Sequence, residues 1–283
     1  MTENEHSVGD GLRSVPHTDS LVGDGAQSVP HTGSAPTLRL RGVGRRFGGL
    51  LAVRDVDLDV AQGERRAVLG PNGAGKTTLF NLICGDMPVS SGTIELYGED
   101  VTRSPARTRV KLGLARTYQQ SRHLLGLTVE DSIYLSIVGV EGGRMRPVIL
   151  GRDSERRERA REAANRVAIE HKLHERVGDL SHGEHRQVAI AMALAAKPRM
   201  LMLDEPASGL SRGERVLLTE LLLGLDPAIT LILIEHDMDI ALRVAQSVTM
   251  MHDGRVIVEG TPAEIRANQT VHDLYLGRSN AGE

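Results

Sequence analysis

Gly70-Pro71-Asn72-Gly73-Ala74-Gly75-Lys76-Thr77-Thr78, GPNGAGKTT in one-letter code, follows the apolar run Arg65 to Leu69 and opens a helix that the pattern carries from Lys76 to about Gly85. A strand, a glycine-rich turn and a helix start in that order form a phosphate cradle. Glycines let successive backbone N–H groups converge on phosphate oxygens, and the helix N-terminus adds positive potential at the same point. The phosphate-contacting positions are Gly70, Asn72, Gly73, Ala74, Gly75, Lys76, Thr77 and Thr78, with Lys76 reaching the β- and γ-phosphates and Thr77 ligating Mg2+. The plain alternative is a glycine turn, since the chain holds 31 glycines. Lysine is scarce, however, with four among 34 basic residues. An arginine fork fits so narrow a loop poorly, so one of the few lysines standing here favours phosphate binding.

Working outward, Met200 to Leu203 reads as a buried strand that ends in Asp204 and Glu205. Two acids after a strand are ordinarily a helix-entry pair. Downstream of a phosphate loop they gain a second reading: Asp204 holds Mg2+, through water, and Glu205 polarises the water that attacks the γ-phosphate. Between the two motifs lies LSHGEHRQ, Leu180 to Gln187, in which Ser181-x-x-Glu184 is also a capping box at a helix start.

With this third motif the sequence resembles the ATP-binding cassette (ABC) ATPases, over nearly all of Thr37 to Gly277. Ser181, His182, Gly183 and Glu184 stand where that family has its LSGGQ-type signature, with His182 in place of a glycine and Glu184 in place of a glutamine. The resemblance implies that this signature acts in trans, closing over the nucleotide of a second cassette stacked head to tail. It further implies that Phe47 stacks on adenine, where core packing is the alternative. Gln119 in ARTYQQ matches the lid glutamine that senses Mg2+ and the γ-phosphate, which makes Thr77, Gln119 and Asp204 the implied metal set. Ser208, Gly209, Leu210 and Ser211 fall in the D-loop, where Ser211 replaces the usual aspartate. His236, after LILIEHD, matches the switch histidine, so Glu205 and His236 are the implied catalytic pair.

The implied architecture is α/β: a P-loop NTPase fold, with an ABC-type nucleotide-binding domain made of a RecA-like core, an antiparallel β subdomain and a helical subdomain. The cassette domain is expected over residues 37–283, with the helical subdomain at roughly 100–195. Periodicity agrees on the class. Val56, Leu58 and Val60 alternate with aspartates as in a half-buried strand, and short apolar strands alternate with helices at Asp153 to Ile169, Glu184 to Ala196 and Arg212 to Leu223. A strand is expected at Ile229 to Ile234, a hairpin turn at Asp253-Gly254, and a capped helix at Thr261-Pro262-Ala263-Glu264.

The first 36 residues stand apart: SVGDGLRSVPHTDS at Ser7 to Ser20 recurs as LVGDGAQSVPHTGS at Leu21 to Ser34. Such a polar, glycine-rich duplication buries too little apolar area to offset chain entropy, and a disordered tail is expected. Its acids, Glu3, Glu5, Asp10, Asp19 and Asp24 against Arg13, leave the remainder of the 283-residue chain near neutral. Dispersed arginines without a basic patch give no support to nucleic-acid binding. The single cysteine, Cys84, excludes an intramolecular disulfide and is read as packing. No apolar run approaches the roughly 20 residues of a membrane span, and no signal peptide is read.

FGGLLAV at Phe47 to Val53, RTYQ at Arg116 to Gln119, IEHDM at Ile234 to Met238, EGTPAEI and the final YLG resemble the cassettes of branched-chain amino-acid, urea and amide importers. This implies a Mg2+-dependent ATPase, peripheral at the cytoplasmic face of the plasma (inner) membrane. Its implied partners are integral-membrane permease subunits, a second ABC ATPase subunit and, indirectly, an extracytoplasmic solute-binding protein. Segments after Gln119, through about Val148, would carry the partner-facing groove. The alternatives are the ATPase of an export system such as lipopolysaccharide export, and a soluble non-transport ABC ATPase.

Overall fold

The computed structural model describes residues 36–117, 125–141 and 150–276. The duplicated tail, Gln119 and the residues after 276 lie outside them. In chain order β1 (Leu38–Phe47) and β2 (Leu50–Val60) form a hairpin, and β3 (Arg65–Leu69) leads into α1 (Lys76–Cys84). Then come β4 (Ser91–Leu96), β5 (Glu99–Asp100), α2 (Ala106–Lys111) and β6 (Leu114–Thr117). The helices α3 (Val129–Glu141), α4 (Leu150–Arg166) and α5 (His182–Ala195) precede β7 (Met200–Asp204). The chain continues through α6 (Arg212–Leu223), β8 (Thr230–Ile234), α7 (Met238–Val244), β9 (Ser247–His252), β10 (Arg255–Gly260), α8 (Pro262–Ala267) and α9 (Gln269–Leu276).

Two sheets form. The six-stranded one runs β10-β9-β3-β8-β7-β6, parallel except for the β10 edge, and the four-stranded one runs β2-β1-β4-β5 and is antiparallel. Every residue of β7 and β8 is buried, which is why both read as unbroken apolar runs: helices or a second sheet cover both faces. The two faces separate by parity. Met200, Met202, Ile232 and Ile234 pack toward α1 and the antiparallel sheet with Leu79, Phe80 and Ile83. Leu201, Leu203, Leu231 and Leu233 pack toward α5 and α6 with Val188, Ile190 and Leu222. A smaller cluster seats α7, α8 and α9 on β3 and β9 through Leu69, Met250, Ala241, Ile265 and Val271.

Register puts the chemistry-bearing turns on one edge. Val68 pairs with Ile234, and Asp204 pairs with the same Ile234, so β3, β7 and β8 end together. Functional loops gather at the carboxyl ends of strands in open parallel sheets.

Several boundaries shift by one to three residues, α5 and β8 among them, and the C-terminal end of α4 has a clear cause. The charge-rich helix expected to reach Ile169 ends at Arg166, because Ala168 adopts a left-handed conformation at φ 57°. The N–H of Ala168 donates to the carbonyl of Asn165 (2.9 Å) and that of Ile169 to Ala164 (3.0 Å). These two bonds make a Schellman closure, with alanine where glycine is usual. The turn at Asp253-Gly254 matches its reading, with φ 46° and 79°, the type I′ signature.

Candidate nucleotide site

The loop between β3 and α1 is built on two glycines that no other residue replaces. Gly70 sits at φ 150° with its missing Cβ 2.1 Å from the Met251 carbonyl oxygen, and Gly75 at φ 97° with its missing Cβ 2.4 Å from that of Ala52. Lys76 folds back under the loop, its Nζ donating to the carbonyls of Gly70 (2.6 Å) and Pro71 (3.1 Å). Burial lowers the Lys76 pKa, opposed by the charges of Glu205 and Asp204. The β9–β10 turn braces the loop: Gly254 N–H donates to Ala74 (3.0 Å), and Arg54 N–H donates to Gly254 (2.7 Å). That turn is legible in the sequence as a hairpin, but not as a wall of this site.

The loop, Thr77, Thr78, Phe47, Glu205 and Asp253 line one cleft of about 410 Å³. Phe47 is 41% exposed at its rim, with the Arg45 guanidinium 4.7 Å from the ring centroid. An exposed ring at a cleft mouth is not core packing.

At the end of β7, Asp204 is 1% exposed. Its Oδ2 accepts from Arg116 Nη2 at 2.9 Å, while its Oδ1 is buried without a hydrogen-bond partner among the described residues. Burial raises the Asp204 pKa, and Arg116 opposes that rise. A bare, buried carboxylate oxygen close to a threonine-bearing phosphate loop is an oxygen donor set that fits Mg2+, with phosphates and water completing the shell. Glu205 takes a left-handed conformation at φ 47°, which turns its side chain off the strand line. Its N–H donates to Ile234 (2.9 Å) and its carbonyl accepts from Arg186 Nη2 (3.1 Å). His236 Nδ1 lies 4.0 Å from Glu205 Oε2 and equally 4.0 Å from Glu235 Oε2.

Glu235 is a further residue that the sequence pattern hides among apolar neighbours. It is fully buried and accepts from the N–H of Ala207 (2.8 Å) and of His236 (3.3 Å). It thereby ties the turn after Glu205 to the start of the His236 loop. Burial raises its pKa.

Ser181, Gly183 and Glu184 line a second cavity of about 410 Å³, against α6, rather than the first. Ser181 caps α5 in a capping box: Glu184 N–H donates to Ser181 Oγ (3.3 Å), and Ser181 N–H donates to Glu184 Oε2 (2.7 Å). Gly183 abuts Glu214, whose Oε1 would lie 2.1 Å from an added Cβ, and His182 packs on Gly209. Ser211 caps α6 through a second box with Glu214, so serine meets the capping demand that an aspartate would meet. Ser208, Gly209 and Leu210 connect Glu205 to that cap. The structure thus gathers Phe47, the phosphate loop, Asp204, Glu205 and His236, and sets the signature and D-loop residues beside one another elsewhere.

Fold and cleft define a P-loop nucleotide-binding protein with an added antiparallel sheet and a helical layer. The sequence profile of the ABC transporter family matches residues 53–208, and that of the branched-chain amino acid ATP-binding cassette transporter matches residues 255–280. The chain is 34% identical over 254 residues to the high-affinity branched-chain amino acid transport ATP-binding protein LivG of Salmonella typhimurium, covering 87% of this chain and 100% of that one. It is 31% identical over 243 residues to the lipopolysaccharide export system ATP-binding protein LptB of Escherichia coli, covering 85% and 97%. Among solved structures it resembles the ADP conformation of MJ1267, an ATP-binding cassette of an ABC transporter, with TM-score 0.75 and 26% identity over 86% of this chain and 100% of that one. The chain belongs to the ABC transporter family, as an ATP-binding subunit homologous to those of branched-chain amino-acid transport.

Proposed function

We propose that this protein is the ATP-hydrolysing subunit of a membrane importer for branched-chain amino acids or related small polar solutes such as urea and amides. The observation that carries the ATPase reading is the single sheet edge at which Lys76, Asp204, Glu205 and His236 meet. The likeness to LivG over that protein's whole length supports the importer reading.

The loop N–H groups and Lys76 hold the β- and γ-phosphates, and Phe47 stacks on the adenine. Thr77 and Asp204 would hold Mg2+, with Gln119, as the resemblance implies, completing the set. When bound, Mg2+ neutralises charge on the phosphates. Glu205 orients a water in line with the γ-phosphate and draws its proton, while His236, beside Glu205, contacts the γ-phosphate. Ser181 and Gly183 arrive from a second cassette, so ATP joins two cassettes and γ-phosphate loss releases them. Permease subunits receive that motion at the cytoplasmic face of the membrane, and a solute-binding protein feeds them from outside. Among the described residues no helix is long and apolar enough to cross a membrane, so this reading assigns the crossing to the permeases.

The test is Mg2+-dependent phosphate release by the chain with its membrane partners. Glu205→Gln should lower the rate roughly 100-fold or more while ATP binding persists. No hydrolysis by the wild type, or equal rates for the two, overturns the ATPase reading. The match to LptB favours lipopolysaccharide export as the second reading. Vesicles holding the complex, assayed for ATP-driven leucine or urea uptake against lipopolysaccharide release, separate the two.

A further inference from the structure

Arg116, the penultimate residue of β6, has a side chain 5% exposed to solvent. Its Nη1 donates to Asn81 Oδ1 (2.6 Å) and Asp86 Oδ2 (3.1 Å), and its Nη2 donates to Asp204 Oδ2 (2.9 Å). Its guanidinium also lies 5.9 Å from the Phe80 ring centroid. Asn81 and Phe80 belong to the helix that begins at Lys76, and Asp86 lies just past its end. One planar fork therefore ties together three elements: the phosphate-loop helix α1, the strand β7 that carries Asp204, and β6 itself. A lysine has one point of charge and no fork to hold acceptors on two elements.

The contact also decides which Asp204 oxygen is presented. With Oδ2 held by Arg116, Oδ1 is the one left buried without a hydrogen-bond partner among the described residues. We propose that Arg116 is a positioning residue that fixes the Asp204 carboxylate so that Oδ1 faces the nucleotide's divalent cation. The proposal rests on the reading that the cleft takes a Mg2+–nucleotide complex. Partners that orient a ligating carboxylate are worth about 10- to 100-fold in metal affinity.

The experiment uses the full chain, a non-hydrolysable ATP analogue and Mn2+ as the probe, with free Mn2+ read by electron paramagnetic resonance. Metal-free binding of the analogue is measured alongside by fluorescence, and folding by thermal melting. Arg116→Met should weaken Mn2+ binding by about 10- to 100-fold while metal-free nucleotide affinity stays within about twofold. Arg116→Lys should lose roughly threefold or more, and it decides the matter if the methionine variant does not fold. A purely structural role lowers the melting temperature without changing the Mn2+ affinity of the folded fraction. A folded variant with Mn2+ affinity within about twofold of wild type overturns the proposal. Wild-type protein that binds the analogue but takes up no Mn2+ overturns instead the reading of the cleft on which it rests.

Discussion

At the scale of single residues, charge placed inside the molecule does most of the local organising. Arg109 is 1% exposed and spends its donors on backbone: Nη1 on Leu82 and Ile83 (both 2.7 Å), Nη2 on Val101 (2.7 Å), and Nε on Ser104 (3.1 Å). Leu82 and Ile83 are in the last turn of α1, where carbonyls carry partial negative charge; that of Leu82 also accepts from the N–H of Gly85 (3.2 Å). The cation thus closes the far end of the helix whose near end is the phosphate loop. Arg109→Met should cost about 3 kcal/mol of stability, since the carbonyls of Leu82, Ile83, Val101 and Ser104 all lose hydrogen bonds from a charged, buried donor. A urea unfolding curve checks this, and a shift under about 1 kcal/mol would refute it. Nothing in Ala106-Arg107-Thr108-Arg109 marks the fourth residue as interior. Arg116, Arg186 and Glu235 are hidden in the same way, because a sequence pattern records residue types while their roles come from carbonyls and carboxylates distant in the chain. The places of Lys76 after β3 and of Asp204 and Glu205 at the end of β7 were legible because local sequence bounds those strands. Cys84 also met its reading: it is buried against Met202 at 3.6 Å, with its thiol pushed up to about 12 by burial, and so is inert as a nucleophile.

Among the elements, strands and helices with strong local signals fall where the pattern puts them. β3 and α6 match residue for residue, because one is bounded by a glycine turn and the other by the Ser211 cap and Gly224. The antiparallel sheet was legible only in β2, since its pairings are long-range and β4 and β5 carry little periodicity of their own. α4 was legible in type but not in extent, because an alanine in left-handed geometry leaves no mark in the sequence. Its charges meet its neighbour, since Glu141 of α3 pairs with Arg156 and Arg159 of α4, while Ala160, Ala163 and Ala164 line the core side. The start of α5 yields a pH prediction. Hydrogen bonds from Ser181 hold the Glu184 carboxyl below its ordinary value of 4.5. A depressed folded-state value means that the ionised form contributes stability above about pH 4.5, and that this is lost as pH falls through the lower folded value. Glu184→Gln keeps a capping side chain without the charge. Its melting temperature should lie below that of wild type near pH 7, and the gap should narrow as pH falls below the ordinary value and through the lower folded one. A gap that persists unchanged to low pH would show that the charge is not what stabilises this helix start.

For the whole molecule, the decisive arrangement is the separation of the two phosphate-ready helix starts. α1 opens into the nucleotide cleft, whereas α5 opens beside Gly209 and Glu214 with Ser181 exposed. A rigid chain built this way cannot bring its own Ser181 to its own Lys76 without breaking the packing of α5 on α6 and the buried Arg186 contact to Glu205. In the proposed mechanism hydrolysis therefore takes a second cassette, identical or not, and the nucleotide supplies the contacts that favour the closed pair. Glu205→Gln, which binds ATP without consuming it, should accumulate as that pair. Sedimentation velocity should show an ATP-dependent shift from single chain to two-chain mass, reversed when ATP is exchanged for ADP. The paired cassette from the same membrane complex is included in the cell, so that either a homodimer or a heterodimer registers. In the same preparation, wild-type turnover per chain should fall on dilution, because association is second order in chains. Per-chain turnover that stays constant over about a hundredfold dilution, with sedimentation at single-chain mass in ATP, would show that one cassette suffices and would remove Ser181 and Gly183 from the catalytic step.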